Sequence, residues 1–178
     1  GLMCTSFTII PTEKTVSSTT HAVAVSPLTI TDSSFAAADA ASRLYNTINL
    51  QEYGLSEEAF DYAWKGYQRL LAKKLIRRSN YLTICDFSQS SRQKRLYIID
   101  VENSELITNT YVAHGKNSGG EYSTKFSNTP ESLQSSLGFY ICSETYDGKN
   151  GYSLKLDGQE AGINDKARDR GVVIHGAD

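Results

Sequence analysis

Residues 81–113 read YLTICDFSQSSRQKRLYIIDVENSELITNTYVA, and this stretch decides the fold class of the chain. Three runs, at 81–87, 95–101 and 106–113, are rich in β-branched and aromatic residues, which favour strands. Two polar segments separate the runs and are typical of turns. Strands joined directly by short turns pair in antiparallel order, so this region predicts a β-meander.

The sequence on the C-terminal side of this stretch continues the strand pattern. Further β-rich runs lie at 138–142, 152–156 and 171–175. These strands do not alternate with helical segments, and no Gly-rich phosphate-binding loop is present, which argues against a parallel nucleotide-binding sheet. The runs together predict an antiparallel or mixed sheet.

Two helices are predicted on the N-terminal side, over residues 33–50 and 56–75. Ser56 can cap the second helix, and Glu57 and Glu58 fall in its first turn, where acidic residues complement the helix dipole. Apolar residues of this helix recur at three- and four-residue steps and build one broad face. They are Phe60, Ala63, Trp64, Tyr67, Leu70, Leu71 and Leu75. The predicted fold class is therefore α+β, mostly β, with an N-terminal helical pair ahead of the sheet.

Composition divides the chain into three parts. Residues 1–31 combine a short uncharged apolar run with a segment rich in Ser, Thr, Val and Ala, and they predict a signal-peptide remnant followed by a flexible tether. Residues 32–79 are predicted to form the N-terminal helical region, and residues 80–178 are predicted to form the sheet domain.

The bulk composition argues against several classes of protein. A hydrophobic fraction of 39% in 178 residues is enough for a packed core. A net charge of -2 without a long basic run argues against a nucleic-acid-binding surface. The three cysteines, Cys4, Cys85 and Cys142, form no C-x-x-C pair, so neither a structural zinc site nor a complete disulfide framework is predicted. We expect no cofactor and no bound metal.

Two His-Gly pairs and one long polar loop carry the candidate chemistry. His114-Gly115 and His175-Gly176 each close a predicted strand, where an imidazole can face a cleft and act as a general base. The loop of residues 114–136 is rich in Gly, Ser, Thr and Asn, and loops of this length in a compact domain are usually functional. Purely structural histidines and a flexible crossover are the alternative interpretations.

Several blocks of the second half, in their order along the chain, resemble the catalytic domain of the murein L,D-transpeptidases, in the larger branch of the YkuD-like family. The resemblance covers residues 80–178. The matching blocks are HGKN at 114–117, KFSN at 125–128, SSLGFY at 135–140, YDGKNGYSLKLDG at 146–158 and VIHGAD at 173–178, together with Asn164, Ala167 and Arg168.

This resemblance implies a peptidoglycan-modifying cysteine acyltransferase. In such enzymes a thiolate attacks a carbonyl of the wall stem peptide, a terminal D-amino acid leaves, and an amine of another stem or water captures the acyl-enzyme. His175 matches the catalytic His, the general base, and the carbonyl of Gly176 would hold the other ring nitrogen. The resemblance implies substrate-binding positions at His114, Asn128, Ser135, Ser136 and Gly138.

The nucleophile of this family is a Cys that follows the catalytic His in chain order, inside a Gly/Ser-rich motif. The sequence ends at Asp178, soon after His175, so we expect the catalytic domain to be C-terminally incomplete, the fragment to be inactive and the parent protein to be active. Cys85 and Cys142 lie in apolar strand runs, where a thiol is expected to behave as an inert small hydrophobe.

The expected partners are peptidoglycan stem peptides, met by an exported protein in the periplasm or cell envelope, and no nucleic acid is expected. A membrane tether at the N-terminus stays open, and the sequence does not indicate an oligomeric state. Three alternative functions stay open as well. They are an L,D-carboxypeptidase, a non-catalytic cell-wall peptide-binding module, and a metallopeptidase that would use His114, His175 and Asp178.

Overall fold

A computed structural model describes residues 7–10 and 32–176 of the chain. It contains two α-helices, α1 (Asp32–Ile48) and α2 (Glu57–Ala72), with a short 3-10 helix (Leu50–Tyr53) between them. The strands are β1 (Phe7–Ile10), β2 (Tyr81–Asp86), β3 (Leu96–Asp100), β4 (Glu105–Thr110), β5 (Gly138–Gly148), β6 (Gly151–Gly158) and β7 (Val173–His175). The predicted class, α+β and mostly β, with a helical pair and an antiparallel or mixed sheet, is confirmed.

One seven-stranded sheet contains all of these strands, in the order β4-β3-β2-β1-β5-β6-β7. The central strand β1 runs parallel to β2 and antiparallel to β5, and every other neighbouring pair is antiparallel. The sheet is therefore mixed, with its single parallel pair at the centre of the described strands.

The four residues of β1 lie within the segment, residues 1–31, that the sequence predicts to be a leader remnant and tether. Residues 7–10 read FTII, and a short uncharged apolar run is compatible with either a signal-peptide core or a central strand. The pairing partners that decide between the two lie on β2 and β5, far along the chain. The rest of that segment, residues 1–6 and 11–31, lies outside the described residues.

A second difference concerns the length of β5, which continues to Gly148 and forms a long hairpin with β6. The sequence predicted a strand only as far as Cys142, because the polar residues that follow do not read as a strand. The register shifts between Cys142 and Thr145, where a β-bulge leaves Ser143 and Glu144 outside the regular ladder.

Two hydrophobic layers cover the two faces of the sheet. The helices pack on one face, where the buried residues are Ala41, Leu44, Tyr45, Ile48, Leu50, Leu55, Ala59, Phe60, Ala63, Tyr67, Leu82, Ile84, Tyr97 and Ile99. The other face buries Cys85, Phe87, Leu96, Tyr140, Leu156 and Ala167, with Phe126, Leu137 and Ile174 packed against them. Ser56 caps α2 as predicted, since its hydroxyl accepts a hydrogen bond from the backbone N–H of Ala59 at 3.2 Å. In the described part of the chain, no helix has the length and apolar character needed to cross a membrane.

A glycine in the middle of α2 sets how closely this helix approaches the sheet. A Cβ placed on Gly66 would lie 1.9 Å from Cε1 of Phe139 on β5. The Phe139 ring also stacks on Tyr62 of the same helix, with ring centroids 5.2 Å apart. The close helix contact therefore depends on the missing side chain at position 66, although glycine is a poor helix former.

We expect Gly66→Ala to lower the free energy of unfolding by about 1–3 kcal/mol, because overpacking outweighs the better helix propensity of alanine. Urea denaturation followed by circular dichroism measures this change. The double variant Gly66→Ala, Phe139→Leu should recover part of the loss, since leucine has no ring at the contact. A Gly66→Ala variant as stable as the wild type would contradict the packing described for this helix.

We also expect Thr8→Pro to destabilise the fold by roughly 3 kcal/mol or more, because proline removes a backbone donor from a strand paired on both sides. Thr8 pairs with Ile84 on one side and with Phe139 on the other. Thr8→Val, which keeps the donor and favours strands, is the control and should stay near wild-type stability. Equal stability of the two variants in urea would mean that β1 does not hold the sheet together.

Candidate active site

His175 is the last residue of β7, and its imidazole is exposed to solvent. Nδ1 lies 2.5 Å from the carbonyl oxygen of Gly176, and Nε2 lies 3.4 Å from Nδ2 of Asn150. A carbonyl oxygen can only accept a hydrogen bond, so Nδ1 carries a proton, and in the neutral ring the lone pair is on Nε2, within reach of the amide N–H of Asn150. This is the tautomer that a general base needs, with the orienting contact on one nitrogen and the basic lone pair on the other.

The pairing of β7 with β6 explains the direction of this side chain. Ser153 pairs with His175 and Leu154 pairs with Ile174. Ile174 packs against the core on the face away from the helices. Successive side chains of a strand point to opposite faces, so His175 points to the other face of the sheet. Tyr146 of β5 pairs with Ser153, which extends the same cross-strand row.

Asn150 lies near His175 but was not predicted as a site residue. It lies in the tight turn between β5 and β6, next to Gly151, whose φ of 80° suits glycine. The turn brings its amide to Nε2 of His175 at 3.4 Å. An Asn-Gly pair signals a hairpin turn in a sequence, but the contact of that turn with β7 depends on sheet order.

The long loop of residues 114–136 is folded back on itself by hydrogen bonds. Ser118 is fully buried, and its carbonyl accepts the backbone N–H groups of Thr124 and Lys125 at 2.8 and 2.9 Å. Its hydroxyl accepts the backbone N–H of Ser135 at 2.8 Å. The loop is therefore an ordered part of the fold, in which backbone groups are paired by serine side chains.

His114 is half-buried at the start of this loop. Nη2 of Arg95 donates to its Nδ1 at 2.8 Å, and the ring meets Phe87 edge-on with centroids 6.2 Å apart. Arg95 is fully buried and also donates to the carbonyls of Val112 and Gln89. Because a guanidinium only donates, Nδ1 of His114 accepts this hydrogen bond, and the ring proton is on Nε2.

The arginine beside His114 also bears on the metallopeptidase alternative. A cation donating to Nδ1 of His114 leaves that nitrogen unavailable as a metal ligand. Among residues 7–10 and 32–176, no group of three His, Cys, Asp or Glu side chains is arranged to hold a metal ion. Asp178, the third ligand of that alternative, lies outside the described residues.

The predicted substrate-binding serines lie together in the loop and are hydrogen bonded within it. The hydroxyl of Ser135 accepts the backbone N–H of Gly115 at 2.9 Å. The buried hydroxyl of Ser136 donates to the carbonyl of Ser127 at 2.7 Å and accepts from Nη1 of Arg170. Both hydroxyls therefore shape the loop.

Asn128 joins the loop to the segment between β6 and β7. Its amide donates to Asp165 at 2.7 Å and accepts the backbone N–H of Lys166 at 3.2 Å. The hydrogen bond from Asn128 is the main reason that the pKa of Asp165 lies below its ordinary value. Asn128 therefore connects two loops and uses both polar atoms of its side chain to do so.

Gly138 begins β5 in a backbone conformation that favours glycine, with φ of 103°. A Cβ at this position would lie 2.0 Å from Oε2 of Glu160, which accepts the backbone N–H of Phe139 at 2.9 Å. The fully buried Asn164 donates to the carbonyls of Leu137 and Phe139, both at 3.0 Å. These contacts hold the segment between β6 and β7 against the start of β5.

The predicted site residues thus fall into two groups. His114, Asn128, Ser135, Ser136 and Gly138 belong to the loop and the segments that brace it. His175 and Gly176 lie at the end of β7. In the described part of the chain, no hydrogen bond runs directly from His175 to the loop. Arg170, which lies shortly before β7, bonds to the loop and links the two groups.

The described cysteines lie in the sheet. Cys85 of β2 is fully buried, and burial raises the pKa of its thiol far above the ordinary value. Cys142 is partly buried on β5, against the core on the same face. Cys4 lies outside the described residues. A thiol as deeply buried as that of Cys85 is a poor nucleophile, because the thiolate is the reactive form.

Comparison with known protein families gives one finding. The model of the L,D-transpeptidase catalytic domain, of the YkuD type, matches residues 51–178. The matched region begins within the 3-10 helix and contains α2 and the strands β2 to β7. Neither a curated protein nor a solved structure matches the chain significantly.

We expect Asn164→Asp to destabilise the protein by about 1–3 kcal/mol at pH 7, because a carboxylate cannot donate to the two carbonyls that the amide now satisfies. The new carboxyl should have a raised pKa in the folded state, so the loss should shrink as the pH falls and the carboxyl becomes a donor. Urea unfolding at pH 7 and pH 4 measures both effects. Asn117→Asp, at an exposed amide of the loop, is the control and should cost far less. Similar losses at both positions would contradict the bracing role of Asn164.

Proposed function

We propose that this chain, which belongs to the family of L,D-transpeptidase catalytic domains, supplies the general base and the acyl-donor loop of a peptidoglycan cysteine acyltransferase. One observation carries the proposal. His175 is exposed at the end of β7, with Nδ1 held at 2.5 Å by the carbonyl of Gly176 and the lone pair on Nε2. This geometry suits proton transfer from a thiol, and the family assigns such a transfer to a histidine.

The proposed reaction begins when a cysteine thiol gives its proton to Nε2 of His175. The thiolate attacks the stem-peptide carbonyl that joins a diamino acid to a terminal D-amino acid, and a tetrahedral intermediate forms. The imidazolium returns the proton to the leaving amine, the C–N bond breaks, and a thioester remains. An acceptor amine then attacks the thioester and His175 takes its proton, so that an amide forms and the thiol is restored.

Gly176 has a defined part in this proposal. Its carbonyl accepts the Nδ1 proton both before and after Nε2 is protonated, so it fixes the ring plane and stabilises the imidazolium. A carbonyl has no charge and no proton to lose, and this orienting contact therefore does not depend on pH. The role resembles that of the aspartate in a Ser-His-Asp triad, with a dipole in place of a charge.

The nucleophile is proposed to be a cysteine that follows His175 in the full-length protein, as it does in the family. The burial of Cys85 supports this choice, because its raised pKa disfavours the thiolate. The 178-residue chain itself is then expected to bind stem peptides without turning them over. The substrate also suggests the location, since peptidoglycan lies in the cell envelope and an enzyme acting on it would be exported.

We expect His175→Ala in the full-length protein to slow release of the terminal D-amino acid by about 10²–10⁴-fold, the usual contribution of a general base. Release is followed with a synthetic stem peptide, and binding of that peptide is measured by calorimetry. Binding should change by less than about threefold, because a base acts mainly in the transition state. His21→Ala replaces a histidine of the segment that the sequence predicts to be a tether, and it is the control that should leave turnover unchanged.

The products of the reaction distinguish the proposed transpeptidase from the alternative functions. A product that contains an added amine supports the transpeptidase, whereas a hydrolysed stem alone indicates an L,D-carboxypeptidase. Peptide binding without turnover in the full-length protein would indicate a binding module. Unchanged turnover after His175→Ala would remove His175 from the mechanism and contradict the proposal.

A further inference from the structure

Arg170 makes an unusually dense set of contacts with the long loop. It lies in the segment between β6 and β7, and both terminal nitrogens of its guanidinium donate to the loop. The acceptors are the carbonyl of Ser127 at 2.6 Å, the hydroxyl of Ser136, the carbonyl of Gln134 at 2.7 Å and the hydroxyl of Ser132 at 3.0 Å. A planar guanidinium can hold four acceptors in fixed directions, which a lysine ammonium cannot.

The neighbouring Arg168 has charged partners, whereas the partners of Arg170 are uncharged. Arg168 is exposed and forms ion pairs with Glu144 and Asp157. Its hydrogen bonds to Glu144 are the main reason that the pKa of this carboxyl lies below its ordinary value. In the described part of the chain, every acceptor of Arg170 is a backbone carbonyl or a serine hydroxyl. Arg170 therefore organises backbone and hydroxyl groups, whereas Arg168 belongs to a surface ion network.

The part of the loop that Arg170 holds is conformationally strained. Glu131 and Leu133, on either side of Ser132, have positive φ values of 59° and 56°, a conformation that non-glycine residues adopt at a cost. Arg170 binds the hydroxyl of Ser132 between them and the carbonyl of Gln134 after them. Asn117 donates to Ser132 and Leu133 from the other side. A turn of this kind persists only when its surroundings determine it.

The same arginine is connected by a short stretch of chain to the proposed base. The backbone N–H of Val172 donates to the carbonyl of the fully buried Ala167 at 2.9 Å, which anchors the segment just before β7. Val173 then enters the ladder with β6, and His175 follows two residues later. If the Arg170 side chain lost these hydrogen bonds, the position of the loop relative to β7 would therefore change.

We propose that Arg170 is a positioning residue, which sets the place of the acyl-donor loop relative to His175 and thereby the affinity for the stem peptide. The inference rests on the function proposed above. Arg170 does not touch the reacting atoms. It acts through Ser136 and through the strained turn at Ser132, and its loss should affect donor binding more than the chemical step.

The test uses the full-length protein and a synthetic stem peptide as the acyl donor. We expect Arg170→Met to raise KM for the donor by about tenfold or more while kcat falls less than about threefold, because displaced binding groups weaken ground-state binding. Arg170→Lys keeps the positive charge but not the planar set of donors, so its KM should lie between those of the wild type and of Arg170→Met. Arg168→Lys is the matched control and should keep wild-type KM and kcat.

Amide hydrogen exchange provides a readout that does not depend on turnover. In Arg170→Met, exchange should speed up at Ser127 and Ser135 of the loop, while α2 and β3 keep wild-type protection. If Arg170→Met does not fold, Ser132→Ala, which removes one acceptor of Arg170 and leaves the arginine in place, should raise KM in the same direction. A parallel fall of thermal stability and kcat without a change in KM would assign Arg170 a merely structural role and overturn the inference.

Two outcomes separate this inference from the proposed function. If the wild-type protein releases the D-amino acid and the Arg170 and Ser132 variants keep its KM, the positioning role is wrong and the proposed function stands. If the wild-type protein releases no D-amino acid from any stem peptide, the proposed function fails, and the role of Arg170 in that reaction fails with it.

Discussion

The architecture depends on the backbone pairing of four residues, Phe7–Ile10, between β2 and β5. On one side lies the meander of β2, β3 and β4, and on the other lies the unit of β5, β6 and β7 that carries His175. These two units meet through β1, a strand that comes from a distant part of the chain. Because a central strand satisfies hydrogen-bonding groups on both sides, its loss would leave two interior edges exposed.

Around this sheet, polar side chains that are buried or half-buried hold the loops in place, as apolar packing holds the helical layer. Arg95 holds His114, Asn164 holds the start of β5, and Arg170 holds the strained turn of the loop. A long loop contains many backbone groups without a regular ladder, and each needs a partner when it is buried. Side chains with several donors meet this need, and they also give the loop one defined shape beside β7.

Much of this could be read from the sequence, because local patterns determine local structure. The cap at Ser56, the apolar face of α2 and the strands after Ser79 follow from residue type and spacing. His175 stood out because a His-Gly pair closes a predicted strand, and its contact with Gly176 is local in sequence. The hydrogen bonds by which Ser136 and Asn128 hold the loop could not be predicted from the sequence, since their partners are not adjacent in the chain.

The sequence by itself determined the α+β class, the order of helices and strands after residue 32, and the family to which residues 51–178 belong. Tertiary structure alone decided that FTII at residues 7–10 is the central strand, that Asn150 reaches His175, and that Arg170 connects the loop to β7. The physical reason is the range of the interactions. Propensity and periodicity act within a few residues, whereas strand partners and hydrogen-bond acceptors are chosen by the folded chain as a whole.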